Sequence, residues 1–455
     1  MTRRQLTGGA LVLAAAAAAG KAAAGQRFRL ALFHCDITPA LGTPVLSGVP
    51  VRSIVDPLFA NGFVLLGPEQ PIVLAALDWC EIRNDAYDRW RAVLAQAAGT
   101  TPQRVMVTCL HQHDAPYVDT GAQRLIDEAP DPGGRLCVPA FNEQSIEKVA
   151  AALREGLRHT WRVTHIGTGE AKVEQVASNR RYVKADGKVS FERTSATRDP
   201  SIRNMPEGLI DPFLKTLSFW DGAKPVAAIS CYATHPMSYY GKGDVSADFV
   251  GLARARRQQE TPGVAQIYLS GCAGDTMAGR YNDGNPSNRA VLAGRVQNAM
   301  AEAWKSTKRH PLTQAGFRSV PLRMEPRRSK GFSADELRRT LADRAQPYRV
   351  RSEAALGLSW LARCDAGRPI DVPAVDFGPA QLMMMPAESF VQYQLWAQKM
   401  RPDSMVMVPA YGECAPGYIP TAESAAEGYN DRYSWIAFPE CERTMVAAMT
   451  EALRR

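Results

Sequence analysis

Apolar and polar residues alternate from Phe28 to Phe33, the two-residue period of a strand with one buried face, and the Asp36-Ile-Thr-Pro39 turn and a Gly/Pro-rich loop through Gly42, Gly48 and Pro50 follow it. The apolar runs Phe63–Leu66 and Ile72–Leu77, separated by Gly67-Pro68, predict a hairpin or sheet core. Asp85 to Ala98 reads as a helix and Val105–Thr108 as a buried strand. Thr216–Trp220 and Val226–Cys231 flank Asp221-Gly222, a hairpin signal. Helical spacing recurs at 247–259, 289–304 and 441–454, strand character at 266–269 and 377–384, and an Arg-rich helical stretch at 333–361. These elements predict an α/β or α+β fold, with mixed multi-stranded sheets and outer helices. They form a single large domain over 26–455 with a helical insertion at about 326–365.

The first 25 residues follow another pattern. Thr2-Arg3-Arg4-Gln5-Leu6 leads into an apolar run from Ala10 to Ala19 and then into Ala22-Ala23-Ala24-Gly25. A basic start, a short apolar stretch and a small-residue end predict an export signal of the twin-arginine type, and a periplasmic or extracellular destination. Its apolar stretch, about 10 residues, falls short of the roughly 20 that span a bilayer. Removing Arg3, Arg4 and Lys21 lowers the formal charge from +8 to +5. That excess is spread along the chain without a clustered basic and aromatic groove, so no nucleic-acid partner is expected. Nine cysteines with no Cys-x-x-Cys pair give neither a disulfide framework nor a structural zinc module.

The chemistry concentrates in few residues. The chain has seven histidines, and two of them, His111 and His113, stand two apart after the Val105–Thr108 strand, beside Asp114. If the extended geometry continues, both imidazoles point to one face. His235 ends another strand, ahead of Pro236, and three N or O ligands with one open position make a catalytic zinc site. Each histidine alone fits a satisfied core residue equally well.

Eight short motifs in order widen the picture: Asp36-Ile-Thr-Pro39, His111-Gln-His113-Asp-Ala-Pro116, Ala177-Ser-Asn-Arg180, Tyr232-Ala-Thr-His-Pro236, Ser246-Ala-Asp-Phe249, Gly274-Asp275, Pro386-Ala-Glu388 and Gly417-Tyr-Ile-Pro-Thr421. Together, from about residue 28 to about 430, they resemble the neutral/alkaline ceramidase family. The resemblance implies one zinc ion held by His111, His235, Glu388 and Tyr418, with His113 as a proton-transfer residue and Arg180 and Tyr429 lining the substrate site. It implies a zinc-dependent amidohydrolase that attacks an N-acyl bond with metal-activated water, His113 moving the proton and Arg180 or Tyr429 stabilising the oxyanion. Where that family carries Ser after Gly-Asp, this chain has Thr276, whose hydroxyl is the candidate replacement. The sequence stops at Arg455, shortly after the tyrosine motif, so the family's C-terminal immunoglobulin-like domain is expected to be absent.

The expected partner is a small-molecule or lipid substrate; peripheral membrane contact and oligomeric state stay open. Two alternatives stand beside the amidohydrolase: the same zinc site acting on an ester, lactone or modified sugar, and a secreted zinc-containing binding protein without turnover. Asp78, Asp211 and Asp248 are candidate acceptors for the ring N–H groups of metal-bound histidines. The arginines around 326–351 read as a solvated face or as an electropositive rim for an anionic substrate.

Overall fold

The alternation that begins at Phe28 becomes β1 (Phe28–Asp36) in a computed structural model that describes residues 28–454; the export segment proposed for 1–25 lies outside them. β2 (Phe59–Leu66), β3 (Ile72–Leu77), β4 (Val105–Cys109) and β5 (Thr160–Val163) complete a five-stranded sheet in the order β4-β3-β2-β1-β5. Only β3 and β4 are parallel neighbours, and the crossover between them contains α1 (Asn84–Ala98). α2 (Pro139–Arg158), absent from the sequence reading, buries Ile146, Val149, Ala150 and Leu153 at helical spacing and packs on β1.

β6 (His165–Lys172), β7 (Phe213–Asp221), β8 (Lys224–Tyr232), β9 (Ala265–Ser270) and β10 (Lys308–Pro311) form a second sheet, ordered β9-β8-β7-β6-β10. The Asp221-Gly222 turn joins β7 to β8, with Gly222 in the left-handed region at φ 59°. The parallel step from β8 to β9 runs through α3 (Asp248–Glu260), and α4 (Asn288–Lys305) packs beside it.

Alternation decides how the layers stack. Leu30, Phe63, Leu65 and Leu74 of the first sheet share one buried apolar layer with Leu217, Phe219, Ile229 and Ile267 of the second, and Phe63 meets Phe219 edge to face at 5.4 Å. The intervening positions, such as Ala31, Phe33, Val64 and Val73, join the larger apolar cluster that contains the helices. The result is two sheets face to face with helices outside, because each strand has apolar residues on both faces and both need cover.

A third sheet, β11 (Gly316–Leu322), β12 (Ile370–Asp376), β13 (Ala380–Met383) and β14 (Met405–Met407), extends the inner layer through Val375, Leu382 and Met407. Between the antiparallel neighbours β11 and β12 lie α5 (Ala334–Ala342) and α6 (Tyr348–Asp365), the helical insertion. The helical stretch expected over 333–361 is broken at 343–347, where Pro347 precedes the first residue of α6. The strand expected over 377–384 shortens to β13 because Gly378, at φ 85°, turns the chain ahead of it.

The insertion's arginines are not one solvated face. Arg328 and Arg338 are exposed and paired with Asp365 and Asp335, whereas Arg351 is buried and donates to the Leu341 carbonyl. α7 (Val391–Met400) and α8 (Glu440–Ala452) complete the helices used below. All nine cysteines are unpaired. Among the described residues, no helix is long and apolar enough to cross a membrane.

Candidate metal centre and substrate pocket

Strand ends and short bridges bring the site together. Past the end of β4 the backbone leaves the extended conformation, and His111 sits in the left-handed region at φ 70°. The expectation that extended geometry alone aligns His111 and His113 therefore fails. The turn at His111 instead sets the two rings edge to face, 5.1 Å between centroids, with their Nε2 atoms 3.5 Å apart. Tyr411, at φ 58°, stacks flat on His111 at 4.4 Å, and Ala387, at φ 48°, directly precedes Glu388. Three non-glycine residues in a sparsely populated backbone region at one place mark a site whose surroundings enforce its geometry.

His235 follows β8, and its backbone N–H donates to the Thr276 carbonyl at 2.9 Å. Glu388 and Tyr418 are partners in a two-residue parallel pairing, Glu388–Ser389 with Tyr418–Ile419, so chain register alone sets them side by side. A second short pairing, Ser178–Asn179 with Thr276–Met277, carries Arg180 to the same region.

The side chains converge at one carboxylate oxygen. Glu388 Oε2 lies 3.2 Å from His111 Nε2 and 3.0 Å from His235 Nε2, and all three residues are buried. The far nitrogens differ: His235 Nδ1 lies 3.1 Å from the Thr276 carbonyl, whereas His111 Nδ1 has no hydrogen-bond partner and meets only the charge of Glu81, 3.3 Å away at Oε1. Glu81 in turn accepts from Arg83 Nε at 2.6 Å. Burial pushes His235 down to about 4, against the opposing pull of the Glu388 carboxylate, so its ring is neutral at pH 7. Burial opposes the charge of Glu388 as well, but the His111 imidazole beside it outweighs that and holds the carboxyl well below its usual range.

In the tautomer with its single proton on Nδ1, toward the Thr276 carbonyl, the neutral His235 ring turns the Nε2 lone pair to an ionised carboxylate at 3.0 Å. Two acceptors face each other there, and a cation between them relieves the conflict. Two imidazole nitrogens and one carboxylate oxygen are the donor set of a divalent transition-metal ion, zinc above all. The residues present fit the metal.

Arg180 Nη2 donates to the Tyr418 hydroxyl at 2.7 Å, while its Nε is buried without a hydrogen-bond partner. Tyr429 is buried between Phe191 and Phe390, its ring 6.4 Å from that of Tyr418, and its hydroxyl is unpartnered. Burial, reinforced by His111 and His235, holds the His113 ring well below its ordinary range and so neutral. Tyr240 packs edge-on against that ring at 5.3 Å. Thr276 contributes its carbonyl rather than its hydroxyl, which turns away toward the Ala233 carbonyl at 3.3 Å. The side-chain role expected for Thr276 is thus not what the structure places here.

The expected aspartates do not reach the histidines. Asp78 forms two 2.6 Å bonds to Arg254, Asp248 pairs with Arg289, and Asp211 with Lys215, each a buried charge neutralised locally. Glu81 is the acid that stands behind His111, at 3.3 Å, and sequence reasoning missed it. The readable signal was an acid and a base, Glu81-Ile-Arg83, following an apolar strand, where buried charges need each other. Glu388 does not cap α7; Asp275 does, accepting from Val391 N at 2.8 Å.

His111, His113, Arg180, Glu388 and Tyr418 line one cavity of about 440 Å3, closed on one side by Leu46, Val49 and the start of α6. Fold and site thus define an α/β protein of stacked mixed sheets with a buried His-His-carboxylate centre at the floor of a pocket. Among solved structures the chain is similar to neutral ceramidase from Pseudomonas aeruginosa, with a TM-score of 0.67 at 15% identity over 94% of this chain and 74% of that one. A ceramidase complexed with C2 is similar to the same degree, over 75% of its length. The fold is the neutral ceramidase fold, in agreement with the family that the motifs resemble. No family model matches the chain, and no curated protein matches it in sequence.

Proposed function

We propose that this protein is a metal-dependent hydrolase of amide bonds in N-acyl compounds, with zinc as the metal. The observation that carries the reading is the convergence of His111 Nε2 and His235 Nε2 on Glu388 Oε2 at 3.2 and 3.0 Å, directly beside a neutral His113 and a partly unpartnered Arg180. His111, His235 and Glu388 would hold the ion, with the Tyr418 hydroxyl as the candidate fourth ligand. When bound, such an ion polarises a carbonyl and lowers the pKa of water from 15.7 to about 7.

The chain's own residues supply the rest. His113, neutral and with Nε2 3.5 Å from that of His111, accepts the proton of the attacking water and passes it to the departing amine. Arg180 Nε and the Tyr429 hydroxyl, both lacking partners, are donors available to the oxyanion that develops on the carbonyl. Arg180 also holds the Tyr418 hydroxyl in place. The ceramidase fold of the neighbours agrees with an amide substrate.

The test is metal content and hydrolysis of N-acyl and ester substrates in the wild type and three variants. His111→Ala and His235→Ala should each lose the metal. His113→Ala should keep it and lose roughly 100- to 10,000-fold in kcat. Full metal in all three variants would move the centre elsewhere and end this reading.

A further inference from the structure

Resting on that reading, we propose that the substrate is a short-chain N-acyl derivative of a polar amine, one carrying hydroxyl or carboxylate oxygens, rather than an amide with long alkyl tails. The walls of the pocket carry the inference. Beyond the candidate metal ligands they are lined by Arg83, Arg180, Arg349, Glu81, Asp431 and several tyrosines, while Leu46, Val49 and Met237 are the only aliphatic or thioether side chains among the described residues there. A long acyl chain or sphingoid tail gains affinity only where it leaves water for an apolar wall, and three such side chains do not make one.

Polar walls also penalise a tail directly. Arg349 Nη2 donates to the Tyr433 hydroxyl at 2.7 Å, and that hydroxyl donates to Glu353 Oε1 at 2.6 Å. An alkyl chain laid across the exposed Arg349 and the half-buried Tyr433 strips their water and returns no hydrogen bond, whereas hydroxyl or carboxylate oxygens replace it.

Residues 46–49, which form one side of the pocket, pack against the start of α6. Gly48, at φ 75°, packs so tightly on the first residue of α6 that a Cβ there would lie 2.6 Å from Tyr348 Cε1. The apolar groove formed by Leu125, Ala129, Leu341 and Leu358 shares no lining residue with the pocket. Polar amines of this kind come from amino acids or from amino sugars, and the two are separable by experiment.

The experiment measures kcat/KM of the metal-loaded enzyme on acetyl, butanoyl, hexanoyl and octanoyl amides of glutamate, of glucosamine and of sphingosine. The inference predicts a flat or falling series beyond butanoyl and at least 100-fold higher values for a polar amine than for sphingosine. Activity on the glutamate series assigns a carboxylate, and activity on the glucosamine series assigns hydroxyls; either supports the inference. A rise of about fourfold for each added CH2, the signature of a buried tail, or a preference for sphingosine overturns it and leaves the hydrolase reading standing. No turnover of any amide overturns both.

Discussion

The histidines at the centre depend on what lies behind them. Glu81 Oε1 stands 3.3 Å from His111 Nδ1 and the Thr276 carbonyl 3.1 Å from His235 Nδ1, and both rings present Nε2 to Glu388. An acceptor behind a metal-bound histidine orients the ring and raises its basicity. Glu81→Gln should weaken zinc binding by about 10- to 100-fold in chelator competition. Asp211→Asn, which removes a buried acid that reaches neither ring, should leave zinc affinity unchanged. Equal affinities for Glu81→Gln and the wild type would reduce Glu81 to a partner of Arg83. Candidate ligands were legible in the sequence because their motifs keep an order along the chain. Glu81 was not, because the 3.3 Å approach depends on the left-handed turn at His111, which no spacing rule announces.

At the scale of elements, strand ends and short pairings place the site, and side chains hold the loops around it. Asp114 Oδ1 accepts three consecutive backbone N–H groups, Gly241, Lys242 and Gly243, at 3.1, 3.0 and 2.9 Å. This clamps the segment that carries Tyr240 against His113. Asp114→Ala strands those donors and should cost about 2 kcal/mol, with faster amide exchange confined to 241–243. Unchanged exchange there would mean that the segment is held by other contacts.

The long strands were readable from alternation alone, since residues such as Leu30 and Phe63 on one face and Ala31 and Val64 on the other each reach a buried layer. The pairings that build the site were not. Glu388–Ser389 with Tyr418–Ile419 is two residues long, too short for any periodicity to register. The insertion shows the converse failure, a helical pattern carried through 343–347 although Pro347 removes a backbone donor there.

Across the whole molecule the insertion is tied to the core by buried charge. Glu413 Oε1 accepts from the Asn84 N–H at 2.8 Å at the start of α1, and its Oε2 lies 3.4 Å from Arg363 of α6. Burial, only partly offset by Arg363, pushes the Glu413 carboxyl up to about 7. An unfolded glutamate titrates near 4.3, so the folded state binds this proton more tightly. The stability it contributes is fully present below about 4.3 and is lost as pH rises through about 7, in total ~3–4 kcal/mol. Glu413→Gln removes the titration. The wild type should therefore lose stability relative to the variant between pH 4 and pH 8 in denaturant unfolding, and a pH-independent difference would contradict the assignment.

Everything proposed for this chain turns on a cation between His111, His235 and Glu388. Crystals of the zinc-loaded protein, with anomalous scattering collected on both sides of the zinc edge, locate it. The account predicts one anomalous peak within about 2.0–2.2 Å of both Nε2 atoms and of a Glu388 oxygen, lost in His235→Ala. A site free of anomalous density in zinc-saturated protein, or a peak on other ligands, would contradict it.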